Sequence, residues 1–194
     1  MPAKRRTIPK DEYSVFEILR SKGVAVAPFA TVVAEVGAVG IPAVVIARNV
    51  NGAHTRTMVA KYGDIVPAVA HAVRTSPQFF MQRHIMGHEV VCGVIMDGRK
   101  IVSLVPVEAI PRALHESSAW HMKTGVADAI QYLAKAAHAA LGTKTHSCVR
   151  LVVAGSTPYV TGVDIAPPLT RTGFFMRSAE LAGLTKEEIM ESII

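Results

Sequence analysis

The sequence predicts an α+β fold in which helices are interspersed with antiparallel strands. Half of the 194 residues are hydrophobic and 19% are charged, a composition that can bury a large core and differs from that of disordered chains. Amphipathic segments with helix-capping residues alternate with short valine-rich segments bounded by turn residues. Because these elements follow no regular strand–helix–strand repeat, we expect α+β rather than a doubly wound parallel sheet.

The first part of the chain begins with a helix over residues 11–22. Val15, Ile18 and Leu19 recur there at helical spacing behind an acidic start, and Gly23 ends the pattern. The elements predicted next are an extended segment at 24–29, a helical stretch at 32–39, a strand at 42–47, a turn-rich link at 49–54, a strand at 55–60 and a helix at 64–74. The two strands are expected to form a hairpin or to flank an ordered loop.

The second part predicts an antiparallel meander followed by helices and a strand pair. The predicted meander consists of strands at 79–84, 89–96 and 99–107. An irregular crossover at 111–125, a helix at 126–141, strands at 149–154 and 159–163, and a helix at about 175–181 follow. Thr185 and Glu188 have the spacing of a capping box, so the final helix is predicted to start at Lys186.

Charge is concentrated at the N-terminus. The net charge is +6, and residues 1–10 contribute +4 through two lysines and two arginines without an acid. The remaining 17 basic and 15 acidic residues make a nearly neutral body (21 − 4 = 17 basic residues), which argues against nucleic-acid binding by a broad patch. Residues 1–10 are interpreted as a basic flexible tail.

The sequence also indicates the compartment. No apolar run approaches the roughly 20 residues needed to cross a bilayer, and no signal-peptide hydrophobic region follows the basic start, so we expect a cytoplasmic protein without membrane insertion. Cys92 and Cys148 each lie in a valine-rich strand and are predicted to be buried free thiols.

Several segments resemble one known family in the same order along the chain. The C-terminal pattern consists of Pro167-x-Leu169-Thr170, then Ala179, Gly183-Leu184-Thr185 and Glu188. Upstream, the matching segments are GVAVAP at 23–28, GIPAVV at 40–45, IMGHEV at 85–90 and VPVEAI at 105–110. Together they resemble the ATP-grasp part of D-alanine–D-alanine ligases over about residues 11–194, without the separate N-terminal domain of full-length ligases.

The resemblance implies an ATP-grasp-like fold of two lobes with antiparallel sheets and flanking helices. We expect an N-terminal lobe at 11–80 and a C-terminal lobe at 81–194, with a cleft between them. It also implies a homodimer, because members of the family commonly dimerise. A separately encoded partner domain is a further expectation.

Five residues are the candidate site residues that the resemblance suggests. Gln82 falls at the adenine hinge, Glu89 at the ribose-facing glutamate, and Arg48 near the position of a phosphate-binding lysine. Arg150 matches the arginine that stabilises the oxyanion, and Asp164 is a remnant metal position that is expected to hold no ion. The alternatives are that Glu89 and Arg150 are ordinary strand residues and that Asp164 ends a strand before Pro167.

Other positions depart from the family pattern. Glu12 stands in place of one lysine, Ile46-Ala47 in place of another, and Gly52-Ala53-His54 in place of the hydroxyl-rich covering loop. Val152 and Gly162 stand where the resemblance implies acidic metal ligands, and Gly173 stands where it implies a serine. One remaining carboxylate cannot hold the two magnesium ions of such a site.

These departures lead to three functional hypotheses. The leading one is a catalytically inactive ATP-grasp protein, with no cofactor, that acts as a binding, structural or regulatory module. The second is an ADP-forming carboxylate–amine ligase that uses ATP and Mg²⁺ and is completed by a partner. The third is an anionic-polymer binder that uses the basic tail.

Overall fold

The computed structural model describes residues 11–31, 36–48, 54–76, 78–109, 125–170 and 173–193. Their elements, in chain order, are α1 (Glu12–Ser21), β1 (Phe29–Ala30), α2 (Val36–Val39), β2 (Ala43–Arg48), β3 (His54–Val59), α3 (Ile65–Thr75), β4 (Phe79–Arg83), β5 (His88–Asp97), β6 (Lys100–Ser103), β7 (Val107–Glu108), α4 (Val126–Leu141), β8 (His146–Ala154), β9 (Thr157–Asp164), α5 (Phe174–Leu181) and α6 (Lys186–Ile193). This mixture of helices and antiparallel strands confirms the predicted fold class.

The chain divides into two compact units. The smaller unit is Ala27–Met86, and the larger unit combines Met1–Val26 with Gly87–Ile194. This division differs from the predicted lobes at 11–80 and 81–194. The helix α1 belongs with the larger unit because it packs against α4 and β9, and residues 81–83 belong with the smaller unit because they are the last residues of β4.

The smaller unit is a four-stranded antiparallel sheet in the order β1-β4-β2-β3. Ala43, Val45 and Ala47 alternate along β2 toward one face, where Ala68 and Ala72 of α3 complete a buried apolar cluster. Small residues on α3 let the helix approach the strands closely. The opposite face of the same sheet therefore carries the alternate residues of β2 and β4.

The larger unit contains an antiparallel sheet in the order β6-β5-β8-β9, with β7 paired to the edge of β5. One face of this sheet packs against α5 and α6, and Val91, Ile95 and Phe175 are among the buried residues there. The helix α4 also packs against this sheet, and its buried residues include Ile130 and Ala134.

The predicted meander is wrong in one pairing. The strand β4 does not pair with β5 but with β1 and β2 in the smaller unit, whereas β5 pairs with β6 as predicted. The link through Gly87 leads from one unit to the other. A Cβ at Gly87 would lie 2.7 Å from the carbonyl carbon of Val153, so this close approach to β8 requires glycine.

Helix ends follow the predicted local chemistry. The carboxylate of Asp11 accepts a 2.7 Å hydrogen bond from the Ser14 amide at the start of α1. At the start of α6, the Glu188 carboxylate accepts from the Thr185 amide at 2.8 Å, and the Glu188 amide donates to the Thr185 hydroxyl at 3.2 Å. This capping box confirms the predicted start of the last helix.

Ser178 joins α5 to the sheet of the larger unit. Its side chain is fully buried, and its hydroxyl accepts from the Gly93 amide at 3.0 Å and donates to the Val105 carbonyl at 2.6 Å. Gly93 leaves the space for this contact, because a Cβ there would lie only 3.2 Å from Oγ of Ser178. One hydroxyl therefore satisfies a backbone group of β5 and one of the segment between β6 and β7.

The two cysteines are buried free thiols, as predicted. Burial raises the pKa of the Cys92 thiol above its ordinary range and raises the pKa of Cys148 to about 12. Within the described ranges, no helix is long and apolar enough to cross a membrane.

Candidate functional site

Three predicted site residues lie on one face of the sheet in the larger unit. Glu89 of β5 lies opposite Val152 of β8, and Arg150 of β8 lies opposite Gly162 of β9. Asp164 of β9 lies opposite Cys148 of β8. Because Cys148 precedes Arg150 by two residues, Asp164 and Arg150 lie on the same face of the sheet. We call this surface, defined by Glu89, Arg150 and Asp164, the site face.

Arg150 is bound within the larger unit by a carboxylate from α1. Its Nη2 lies 3.3 Å from Oε1 of Glu12, and the Arg150 side chain is half-exposed whereas the Glu12 side chain is largely buried. The guanidinium lies over Gly162, where a Cβ would come within 2.7 Å of Nε and 2.8 Å of Cζ. The space that a side chain at position 162 would occupy is thus filled by a cation from the neighbouring strand.

Asp164 ends its strand in a local hydrogen bond. β9 ends at this residue, and its Oδ1 accepts from the Ala166 amide at 3.1 Å, while the side chain is exposed. The same carboxylate adds to the raised pKa of Cys148, which burial dominates and the nearby charge of Arg150 opposes. This geometry matches the interpretation of Asp164 as a residue that ends a strand.

Glu89 is, like Asp164, an exposed acidic residue of the site face. Its backbone carbonyl accepts from the Ala109 amide at 2.9 Å, so the strand position is fixed while the side chain points away from the core. Val152, directly opposite, is buried. The neighbour of Glu89 across the strand pair is therefore apolar, where a metal site would need a second oxygen ligand.

The described residues of the site face do not fit a magnesium site. Mg²⁺ prefers octahedral oxygen coordination and is usually held by one or two carboxylates together with waters and substrate phosphates. Here Val152 and Gly162 offer no side-chain oxygen, and Arg150 places a positive charge beside them. In the described ranges, no group of three or more histidine, cysteine, aspartate or glutamate residues is arranged to hold a metal ion.

The other two predicted residues lie in the smaller unit, on the sheet face opposite α3. Gln82 lies across from Val44, and Arg48 is four residues further along β2, a separation of about 13 Å along the strand. Gln82 is only 5% exposed and its Nε2 has no hydrogen-bond partner among the described residues. Arg48 is half-buried. The structure thus places these two residues on a common face of one sheet.

Sequence reasoning missed a basic group on this same face. His54 pairs with Arg48, and Arg56 pairs directly with Ile46, so Arg48, His54 and Arg56 share one face of the β2–β3 hairpin. A cation therefore lies beside Ile46, on the neighbouring strand. The alternation of polar residues over 54–57 was the available signal, but the hairpin register was needed to use it.

Some predicted features lie outside the described residues. These are the basic tail at 1–10, the first part of the helical stretch at 32–39, Gly52 and Ala53 of the covering loop, and residues 111–124 of the crossover predicted at 111–125. Gly173 is described and precedes α5 as its N-cap residue with extended backbone.

Sequence comparison finds relatives of one kind, although no protein-family model matches the chain. A D-alanine–D-alanine ligase of Clostridium perfringens (strain SM101 / Type A) is 24% identical over 168 residues, covering 80% of this chain and 54% of that protein. One from Leptospira interrogans serovar copenhageni is 26% identical over 130 residues, covering 58% of this chain and 37% of that protein. The chain thus spans about half the length of the first of these relatives.

Solved structures agree over nearly the whole chain. The D-alanine–D-alanine ligase of Bacillus anthracis, complexed with ATP, matches with a TM-score of 0.80 and 18% identity over 96% of this chain and 65% of that chain. The Coxiella burnetii ligase matches with a TM-score of 0.83 and 18% identity over 95% of this chain and 55% of that chain. The chain has the ATP-grasp fold of D-alanine–D-alanine ligases. This finding confirms the fold that the sequence resemblance predicted.

Proposed function

We propose that this ATP-grasp protein has lost metal-dependent ligation and acts as a binding, structural or regulatory module. The observation that carries the proposal is the composition of the site face in the larger unit. Where the resemblance implies acidic metal ligands, Val152 is apolar and Gly162 lies beneath the guanidinium of Arg150. The remaining carboxylate, Asp164, is hydrogen-bonded to its own chain.

The physical argument concerns phosphate charge. An ADP-forming ligation moves a phosphoryl group, and metal ions between the phosphates neutralise the charge that develops in the transition state. Removing metal ligands weakens this stabilisation of the transition state by roughly several kcal/mol. Arg56 and Arg48 lie in the smaller unit, where Arg56 is exposed and Arg48 is half-buried. An ion pair of a solvent-exposed cation contributes only about 0–1 kcal/mol. These arginines are poor substitutes for a bound divalent ion.

A second candidate function is a carboxylate–amine ligase that a partner completes, with ATP and Mg²⁺ as cofactors. One observation favours it: Glu89, Arg150 and Asp164 share a single sheet face, as the surviving contacts of such a site would. In this candidate the partner supplies the missing oxygen ligands. Arg150 would then have to exchange Glu12 for a substrate or phosphate oxygen.

The test is ADP release by the purified chain with ATP, Mg²⁺ and D-alanine. The proposal predicts no D-alanine-dependent ADP formation above that of Arg150→Ala, which serves as the matched background. ADP release that requires both substrates and disappears in Arg150→Ala would contradict the proposal and support the ligase.

A further inference from the structure

Arg150 connects three elements of the larger unit. It lies on β8, faces Gly162 of β9 directly across the strand pair, and pairs through Nη2 with Oε1 of Glu12 at 3.3 Å. Glu12 belongs to the first turn of α1. These residues are 138 positions apart in the chain, so the contact joins the start of the described chain to its C-terminal half.

Gly162 serves this contact by leaving space. Its φ lies outside the left-handed region, because it is not among the glycines with positive φ, so other residues could adopt its backbone conformation. A Cβ, however, would lie 2.7 Å from Nε and 2.8 Å from Cζ of Arg150. A side chain at position 162 would therefore displace the guanidinium, the flexible end of Arg150, from its place beside Glu12.

Glu12 is held where a negative charge is favourable. It follows the N-cap residue Asp11 at the positive end of α1, and its side chain is only 10% exposed. Phe16 and Leu19, further along the helix, are fully buried. The helix is therefore fixed by apolar contacts along its length and by an ion pair at its first turn.

We propose that Glu12, Arg150 and Gly162 form a latch that fixes the first turn of α1 on the β8–β9 strand pair. The latch gives Arg150 a conformational role that is separate from any ligand contact. It goes beyond the proposed function, because it concerns how the larger unit is held together whether or not a nucleotide binds.

A double-mutant cycle on Gly162 and Arg150 tests the latch. Gly162→Ala should lower the Tm by about 2–4 °C, because the methyl group displaces the flexible guanidinium and the partly exposed ion pair with Glu12 is lost. In an Arg150→Ala background the same change should shift the Tm by less than about 1 °C. Equal shifts in both backgrounds, or no shift in the native background, would overturn the proposal.

Hydrogen exchange gives a second readout that does not depend on global stability. Glu12→Gln should accelerate exchange of the Ser14 and Val15 amides, in the first turn of α1, by about fivefold or more, since the turn loses its tether. Glu17→Gln is the matched control, because Glu17 has the same charge and pairs with Arg20 on its own helix. Equal exchange in the two variants would refute the latch even if both remain folded.

Discussion

Replacing Ser178 by alanine should destabilise the larger unit more than the loss of one hydroxyl suggests. The hydroxyl satisfies the amide of Gly93, which is buried, and donates to the carbonyl of Val105, which is partly exposed. A buried amide left without a partner costs about 1–3 kcal/mol, and an ordinary hydrogen bond contributes about 0.5–1.5 kcal/mol. The sum is about 2–4 kcal/mol, or a decrease in Tm of roughly 5–15 °C for a chain of this size.

The assay is thermal and urea unfolding of Ser178→Ala beside Ser21→Ala. Ser21 also donates its hydroxyl to a backbone carbonyl, that of Ile18 at 2.8 Å, but it is exposed on α1. Its substitution should therefore change the free energy of unfolding by less than about 0.5 kcal/mol. If the two variants lose the same stability, the bridging role assigned to Ser178 is refuted.

Three further predictions concern a buried histidine, metal binding and the cysteines. His138 is fully buried with Nδ1 2.8 Å from the Ser147 hydroxyl, and burial lowers its pKa. Because the unfolded state therefore binds the proton more readily, the free energy of unfolding should decrease as the pH falls below about 6.5. His138→Gln should flatten that pH dependence in unfolding curves taken from pH 5 to 8. Adding Mg²⁺ should leave the Tm unchanged within error, whereas a shift that disappears in Asp164→Ala would reveal a metal site. Because burial raises the pKa values of Cys92 and Cys148, neither thiol should react with Ellman's reagent at pH 8 until the protein unfolds, and rapid labelling of the native protein would contradict that expectation.

Local signals in the sequence predict most of the elements. The helix α4 is predicted at its observed bounds because its apolar stripe is long and Gly142 ends it with a left-handed conformation. The start of α6 is predicted because Thr185 and Glu188 cap it with their own side chains. Both signals act within one or two helical turns, which is why they can be recognised without a structure.

Strand pairing and the site depend on contacts between distant residues. The strand β4 pairs with β1 and β2 rather than with β5, and nothing in the short link at 84–87 determines that choice. Likewise, the charge of Glu12 can be explained only by its ion pair with Arg150. The absence of a side chain at Gly162 can be related only to the guanidinium that lies over it. The resemblance identified these positions as departures, but only the structure shows that the three residues contact one another.

The most direct test of the central claim is calorimetric titration with adenosine, ADP and ATP, each with and without Mg²⁺. The site face has no side-chain oxygen at Val152 or Gly162 to hold a metal ion beside phosphate, and two cations such as Arg48 and Arg56 of the smaller unit would add at most about 2 kcal/mol together, roughly thirtyfold in affinity. We therefore predict that the three ligands bind weakly, within about thirtyfold of one another, and that Mg²⁺ changes none of the affinities. An affinity that rises steeply from adenosine to ATP only when Mg²⁺ is present would contradict the claim.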